Sequence, residues 1–208
     1  LLTIFTFKIF VSLFFVLSLL LIYKVTKSMK ALVFFELNPL VLVETLVSGH
    51  NDIIMMFLAL LGLYILLKNR VVFSFVFLSA SILIKYATVF LTPLYFFLVY
   101  KRLKNKKIEI ESIGFFGFIL MMIVFFLSPL REEIYPWYAI WFLLFASLTI
   151  KKRFIYVMSV TLSFGLMFRY VPYMLLGSHF GITPILKIIL MFVPSVIFVI
   201  TKIIKKNI

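Results

Sequence analysis

Nine apolar runs divide this chain, at about 1–23, 31–48, 53–67, 71–84, 87–100, 113–130, 136–150, 154–170 and 184–201. Polar residues fall between the runs rather than on one recurring face within them. A helix that is apolar all round must be surrounded by lipid or by other apolar helices. The pattern predicts an all-α protein: a polytopic transmembrane helix bundle of about nine membrane spans, some short or broken. Residues 1–208 then form a single transmembrane domain.

Two of the runs carry internal breaks. Asn38-Pro39 lies near the middle of the second. Pro39 has no backbone N–H to donate, and Asn38 is suited to cap a new helix start. A kink or break is expected there, with Glu36 on its inner side. Residues 71–100 are interrupted by Lys85-Tyr86. Two crossings of about 15 residues each give roughly 22 Å of helix against roughly 30 Å of hydrocarbon. The turn at Lys85 should therefore sit below the outer surface, near the depth of a lipid phosphate. Lipid cannot satisfy the backbone groups of such a turn, so it must line a polar cavity.

Charge then orients the runs. Sixteen of the 21 Lys and Arg residues lie in five clusters, Lys24–Lys30, Lys68–Arg70, Lys101–Lys107, Lys151–Arg153 and Lys202–Lys206. With every cluster in the cytoplasm, runs 1, 3, 5, 7 and 9 all end inward and no conflict of parity arises. The alternating loops, acidic, aromatic or histidine-containing, fall on the non-cytoplasmic side. Residue 1 is then outside. An outside start without Met predicts further helices upstream, in a larger or split protein of which this is a C-terminal piece.

Composition narrows the classes. Apolar residues make up 65% and charged ones 13%, too few for a water-soluble shell. The net charge of +14 belongs to membrane-exit points and anionic headgroups, so nucleic acid is not an expected partner. With no cysteine, disulfide and thiol chemistry are excluded. The first run lacks a basic leader and is followed by Lys24, Lys27 and Lys30, unlike a secretory signal peptide. Gly-rich phosphate loops, His/Cys metal spacings and nucleophile elbows are all missing.

Three outer segments carry the chemistry. The loop Glu44–Asp52 holds Glu44, His50 and Asp52. Such groups orient an acceptor hydroxyl, take its proton, or bind a divalent cation. The plainer reading has Asp52 only capping the helix that begins at Ile53. Lys85, beside Tyr86, is placed to bind a lipid-linked phosphate, or simply snorkels to the interface. The segment Ser128–Tyr138 offers Arg131 as a phosphate clamp, Glu132 as a polar contact, and Tyr135, Trp137 and Tyr138 as sugar-stacking rings. An aromatic belt with an Arg–Glu pair is the alternative. Arg169, Tyr173 and His179 read as surface residues, and Lys8 and Lys187 as snorkelling ones.

The ordered run Asn38-Pro39-Leu40, Glu44, Gly49-His50-Asn51-Asp52, Ile82-Leu83-Ile84-Lys85-Tyr86, Pro93, Arg131 and Tyr135-Pro136-Trp137-Tyr138 resembles the GT-C superfamily of integral-membrane glycosyltransferases. It is most similar to the polyprenol-phosphomannose-dependent mannosyltransferase branch, over roughly residues 31–145. The resemblance implies a polyprenyl-phosphate sugar donor, a glycan, lipid or protein acceptor, and reaction on the outer face of a bacterial cell membrane. Lys85 would hold the lipid phosphate, and Asp52, with Glu44 and His50, would supply the outer-loop acid. Asn38, Tyr86, Glu132 and the aromatic residues would contact substrate. One departure stands out: the family's principal carboxylate lies in a large first outer loop, which this chain does not have. A membrane transporter, a lipid flippase or a non-catalytic fragment are the rival readings.

Overall fold

A computed structural model describes residues 2–130 and 133–206. Among the described residues every regular element is helical. The order is α1 (Leu2–Thr26), α2 (Met29–Glu36), α3 (Pro39–Leu42), α4 (Asp52–Leu67), α5 (Val71–Ile84), α6 (Thr92–Leu103), α7 (Ile110–Leu127), α8 (Ala139–Leu148), α9 (Arg153–Met167), α10 (Val171–Leu176) and α11 (Thr183–Lys206). Each predicted apolar run therefore becomes one helix or a broken pair. Three of the basic clusters double as turns: Lys27, Asn69 and Asn105 take left-handed backbone angles there. Asparagine adopts that region more readily than most residues.

The core forms around α8. All ten of its residues are buried, against α7, α9, α4, α2 and α1. Approach to α7 depends on Gly117, where an added Cβ would lie 2.2 Å from the Phe145 ring. Phe118 and Phe125 of α7 then meet Phe142 edge-on, with centroids 6.0 and 5.3 Å apart. Large apolar residues left outside the core, such as Phe5 and Ile9 on α1 and Ile185 and Ile188 on α11, face outward. That is the disposition of a bundle solvated by lipid.

Four helical stretches are long and apolar enough to cross a membrane: Leu2–Thr26, Ile110–Leu130, Arg153–Leu176 and Thr183–Ile204. The pair Pro39–Val47 and Asp52–Leu67 meets at a bend of 111°, as a broken span or a re-entrant loop. Helices α5 and α8 have only 14 and 10 residues. They reach about 21 and 15 Å, short of a roughly 30 Å hydrocarbon layer. Helix length thus accounts for four or five spans rather than nine. Charge parity counts changes of side but is blind to length.

Topology separates two ends. Helix α4 leaves Asp52 and ends at the Lys68 cluster, about 24 Å away. Helix α5 runs the other way, from Arg70 to Lys85. The turns carrying the candidate chemistry and the basic clusters therefore lie at opposite ends of the same helices.

Candidate active site

The site begins at the helix break. Helix α2 ends at Glu36, and the Asn38 side chain accepts hydrogen bonds from the N–H groups of Leu40 (3.1 Å) and Val41 (3.4 Å). The new helix widens into a π-helical turn, Val43–Val47, which carries Glu44. π-turns of this kind frequently re-aim functional side chains. Lys8 does not simply snorkel. Its Nζ donates to the Val47 carbonyl at 2.6 Å, satisfying the end of the turn. Gly49 then takes a φ of +78°, which a side chain would resist, and brings His50 and Asp52 back over Glu44.

Asp52 is wholly buried, and both its oxygens are engaged. Oδ2 lies 2.6 Å from Lys85 Nζ, and Oδ1 accepts from Trp141 Nε1 at 2.6 Å. Its carboxylate is therefore not a helix cap; Asn51 occupies that position. Lys85 is the extended residue between α5 and a 3-10 turn, Tyr86–Leu91. The turn's polar groups are met from within: Ser81 Oγ lies 2.8 Å from the Met55 carbonyl and 2.9 Å from Thr88 Oγ1. Lys85 also stands 5.8 Å from the Tyr138 ring centroid. Trp141→Phe keeps most of the ring but strips Asp52 of a donor. A hydrogen bond to a charged group is worth about 2 kcal/mol, so a loss of stability of that size is expected by thermal melting in nanodiscs. An unchanged midpoint would remove Trp141 from this network.

A second pair lies beside the first. Glu44, also buried, accepts from Tyr170 Oη through Oε1 at 2.6 Å, while Oε2 sits 3.4 Å from His50 Nε2. His50 stacks on Trp137 at 3.9 Å, Trp137 on Tyr135 at 4.4 Å, and Tyr138 on Trp141 at 4.2 Å. Tyr135, Trp137 and Tyr138, the rings expected to meet a sugar, stand with Trp141 in the wall that joins the two pairs. His50 lies in the turn between helices. Burial pulls its imidazole below its ordinary value, with Asp52 opposing and Lys85 assisting.

Beside Lys85 opens a cavity of about 420 Å³, walled by Ile84, Tyr86, Phe90, Leu127, Tyr138 and Trp141 among others. Tyr86 is 71% exposed and stands at its edge. The cavity joins one ammonium to mostly apolar walls, which suits an amphiphile with an anionic head.

Other expected residues lie elsewhere. Asn38 Nδ2 donates to Ser163 Oγ at 3.1 Å, and the residue lines a separate cavity of about 620 Å³ with Lys30, Tyr156 and Phe164. Arg131 and Glu132 lie outside the described residues. Arg169 is not a surface residue: it is 7% exposed and pairs with Glu133. Tyr173 and His179 stack on each other at 4.0 Å. Lys187 is 9% exposed, with Nζ 3.4 Å from His179 Nδ1. Trp141 and Tyr170 carry no sequence signal beyond being aromatic. Among the described residues no three His, Cys, Asp or Glu side chains converge as a metal set, and Glu44, His50 and Asp52 divide between two pairs.

Residues 2–101 match a family model described as "Alpha-(1->6)-mannopyranosyltransferase, N-terminal domain". The match contains Asn38, Glu44, His50, Asp52 and Lys85 and ends before the aromatic segment. The matched stretch, just under half of the chain, is similar to a mannosyltransferase family. No curated protein and no solved structure matches the chain.

Proposed function

We propose that this chain transfers mannose, with inversion, from a polyprenyl-phosphate donor to an acceptor hydroxyl on the non-cytoplasmic face of the membrane. The observation that carries the reading is the Lys85 ammonium at the side of an apolar cavity, held by the buried Asp52 carboxylate. Lys85 takes the donor phosphate, and the apolar walls take the first isoprene units. Arg131 is the second cation proposed for that phosphate.

Proton transfer falls to the neighbouring pair. Both oxygens of Asp52 are occupied, whereas His50 is only half-buried and Glu44 orients it through Nε2. The acceptor oxygen attacks the anomeric carbon as the bond from that carbon to the phosphate oxygen breaks. The acceptor proton passes to the His50 ring nitrogen not facing Glu44, and polyprenyl phosphate leaves with its new charge against Lys85. Asp52 thus acts by positioning Lys85. Asn38 acts by fixing the break that presents Glu44.

The topology proposed with this chemistry has nine passages, every basic cluster on one face and every site turn on the other. The shortest helix suits it because protein, not lipid, surrounds α8, which has no exposed residue.

The test is reconstitution in vesicles with labelled polyprenyl-phosphate mannose or nucleotide-linked mannose, offered with a mannoside acceptor. Label should pass only from the lipid donor, giving the opposite anomer. Transfer from the nucleotide donor alone would overturn the reading.

A further inference from the structure

Helices α9 and α11 touch backbone to backbone at Gly165, where an added Cβ would lie 2.0 Å from the Met191 carbonyl oxygen. Pro194 interrupts the hydrogen bonding of α11 one turn further on. Away from that contact, toward the ends bearing the basic clusters, a cavity of about 440 Å³ opens between the two helices. It is lined by Arg153, Phe154, Val157, Phe198, Thr201 and Lys202. Phe154 and Phe198 meet at 6.0 Å between centroids, and Lys202 Nζ stands 4.2 Å from the Phe154 centroid.

The lining is lopsided in charge. It holds a guanidinium, an ammonium and a hydroxyl but no carboxylate. Among the described residues neither Arg153 nor Lys202 has an acidic partner within ion-pair distance. The clusters Lys151–Arg153 and Lys202–Lys206 bracket it in sequence. Below the cations the wall is Phe154, Val157 and Phe198, all apolar. A ligand that complements this needs a phosphodiester at one end and hydrocarbon at the other. Basic pockets between membrane helices on the cytoplasmic side take anionic headgroups for this reason.

We infer that this cavity is a binding site for one anionic phospholipid of the leaflet that faces the basic clusters. Arg153 forks onto the phosphodiester, Lys202 and Thr201 complete its contacts, and an acyl chain lies along Phe154, Val157 and Phe198. The site stands at the far ends of the helices from Lys85 and does not depend on the sugar-transfer reading.

The experiment titrates the purified protein in phosphatidylcholine nanodiscs with phosphatidylglycerol and counts retained lipid by native mass spectrometry. One phosphatidylglycerol should be held in preference to phosphatidylcholine. The double variant R153Q/K202Q should bind it about thirtyfold more weakly, roughly fivefold per cation, while K202R alone, which leaves the Arg153 fork intact, retains most of the affinity. Equal binding in R153Q/K202Q overturns the site. So does an equal loss in K68Q/R70Q, which would mean bulk charge alone. In the unmodified chain, a photoreactive phosphatidylglycerol should label peptides containing Phe154 and Phe198. Labelling spread along the exposed face of α1 instead overturns the site even if the variants fail to fold.

Discussion

Lys85→Ala is expected to damage stability and transfer together, and Asp52→Asn in the same chain is expected to restore only the first. Asp52 is wholly buried, and Lys85 is its one cationic partner among the described residues. Removing the ammonium leaves a buried carboxylate uncompensated, at a cost of about 3 kcal/mol. The doubly altered chain has no such charge, since an asparagine amide is neutral, and should unfold within about 1 kcal/mol of the original. Transfer behaves differently. In the proposed reaction Lys85 meets the developing phosphate charge, so its loss should lower turnover by about a thousandfold in both Lys85→Ala chains. Thermal melting in nanodiscs and transfer from labelled polyprenyl-phosphate mannose separate the two effects. If the double variant recovered turnover along with stability, Lys85 would be a structural counter-ion and nothing more.

His50→Ala should reduce turnover by a similar factor, about a thousandfold, with little effect on donor binding. The prediction rests on the Glu44–His50 contact of 3.4 Å and on the occupied state of Asp52. Its pH signature has a definite sign. A base works only when unprotonated, so turnover must rise with pH and level off above the His50 pKa. Burial holds that pKa below the ordinary histidine value of about 6.5. The plateau should therefore extend below pH 6.5, and Glu44→Gln, which removes the nearby acid, should lower the plateau itself. A profile flat through the whole acidic range, or unimpaired turnover in His50→Ala, would assign the proton to another group.

Local features are the legible ones. The break at Asn38-Pro39 follows from a missing donor and a good cap, and the structure has it there. The turn at Lys85 follows from the conflict between one long helix and the charges beyond it, and α5 does stop at Ile84. The meeting of Asp52 and Lys85 follows from placing both at outer turns. What resists reading is long-range. Trp141 reaches Asp52 across 89 positions, and Tyr170 reaches Glu44 across 126. In apolar runs without a polar face, nothing marks which aromatic will point at a carboxylate. Arg169 passes for a surface residue on the same ground: its partner Glu133 belongs to another loop. The number of crossings is hard to read for a different reason. A run is bounded by charges whether it is long enough for a bilayer or only for a protein interior.

The ten-residue α8, buried on every side, has a consequence for how the polypeptide is made. At about 15 Å it is too short to partition into a bilayer by itself as it leaves the ribosome-bound channel. Its entry must wait for α7, whose glycine-smoothed flank receives Phe145, and for the walls that α1, α2 and α4 already provide. Trp141 rides in on that helix. Asp52 gains its second hydrogen bond only when this step is complete, so the Asp52–Lys85 pair is finished after α4 and α5 are already in place.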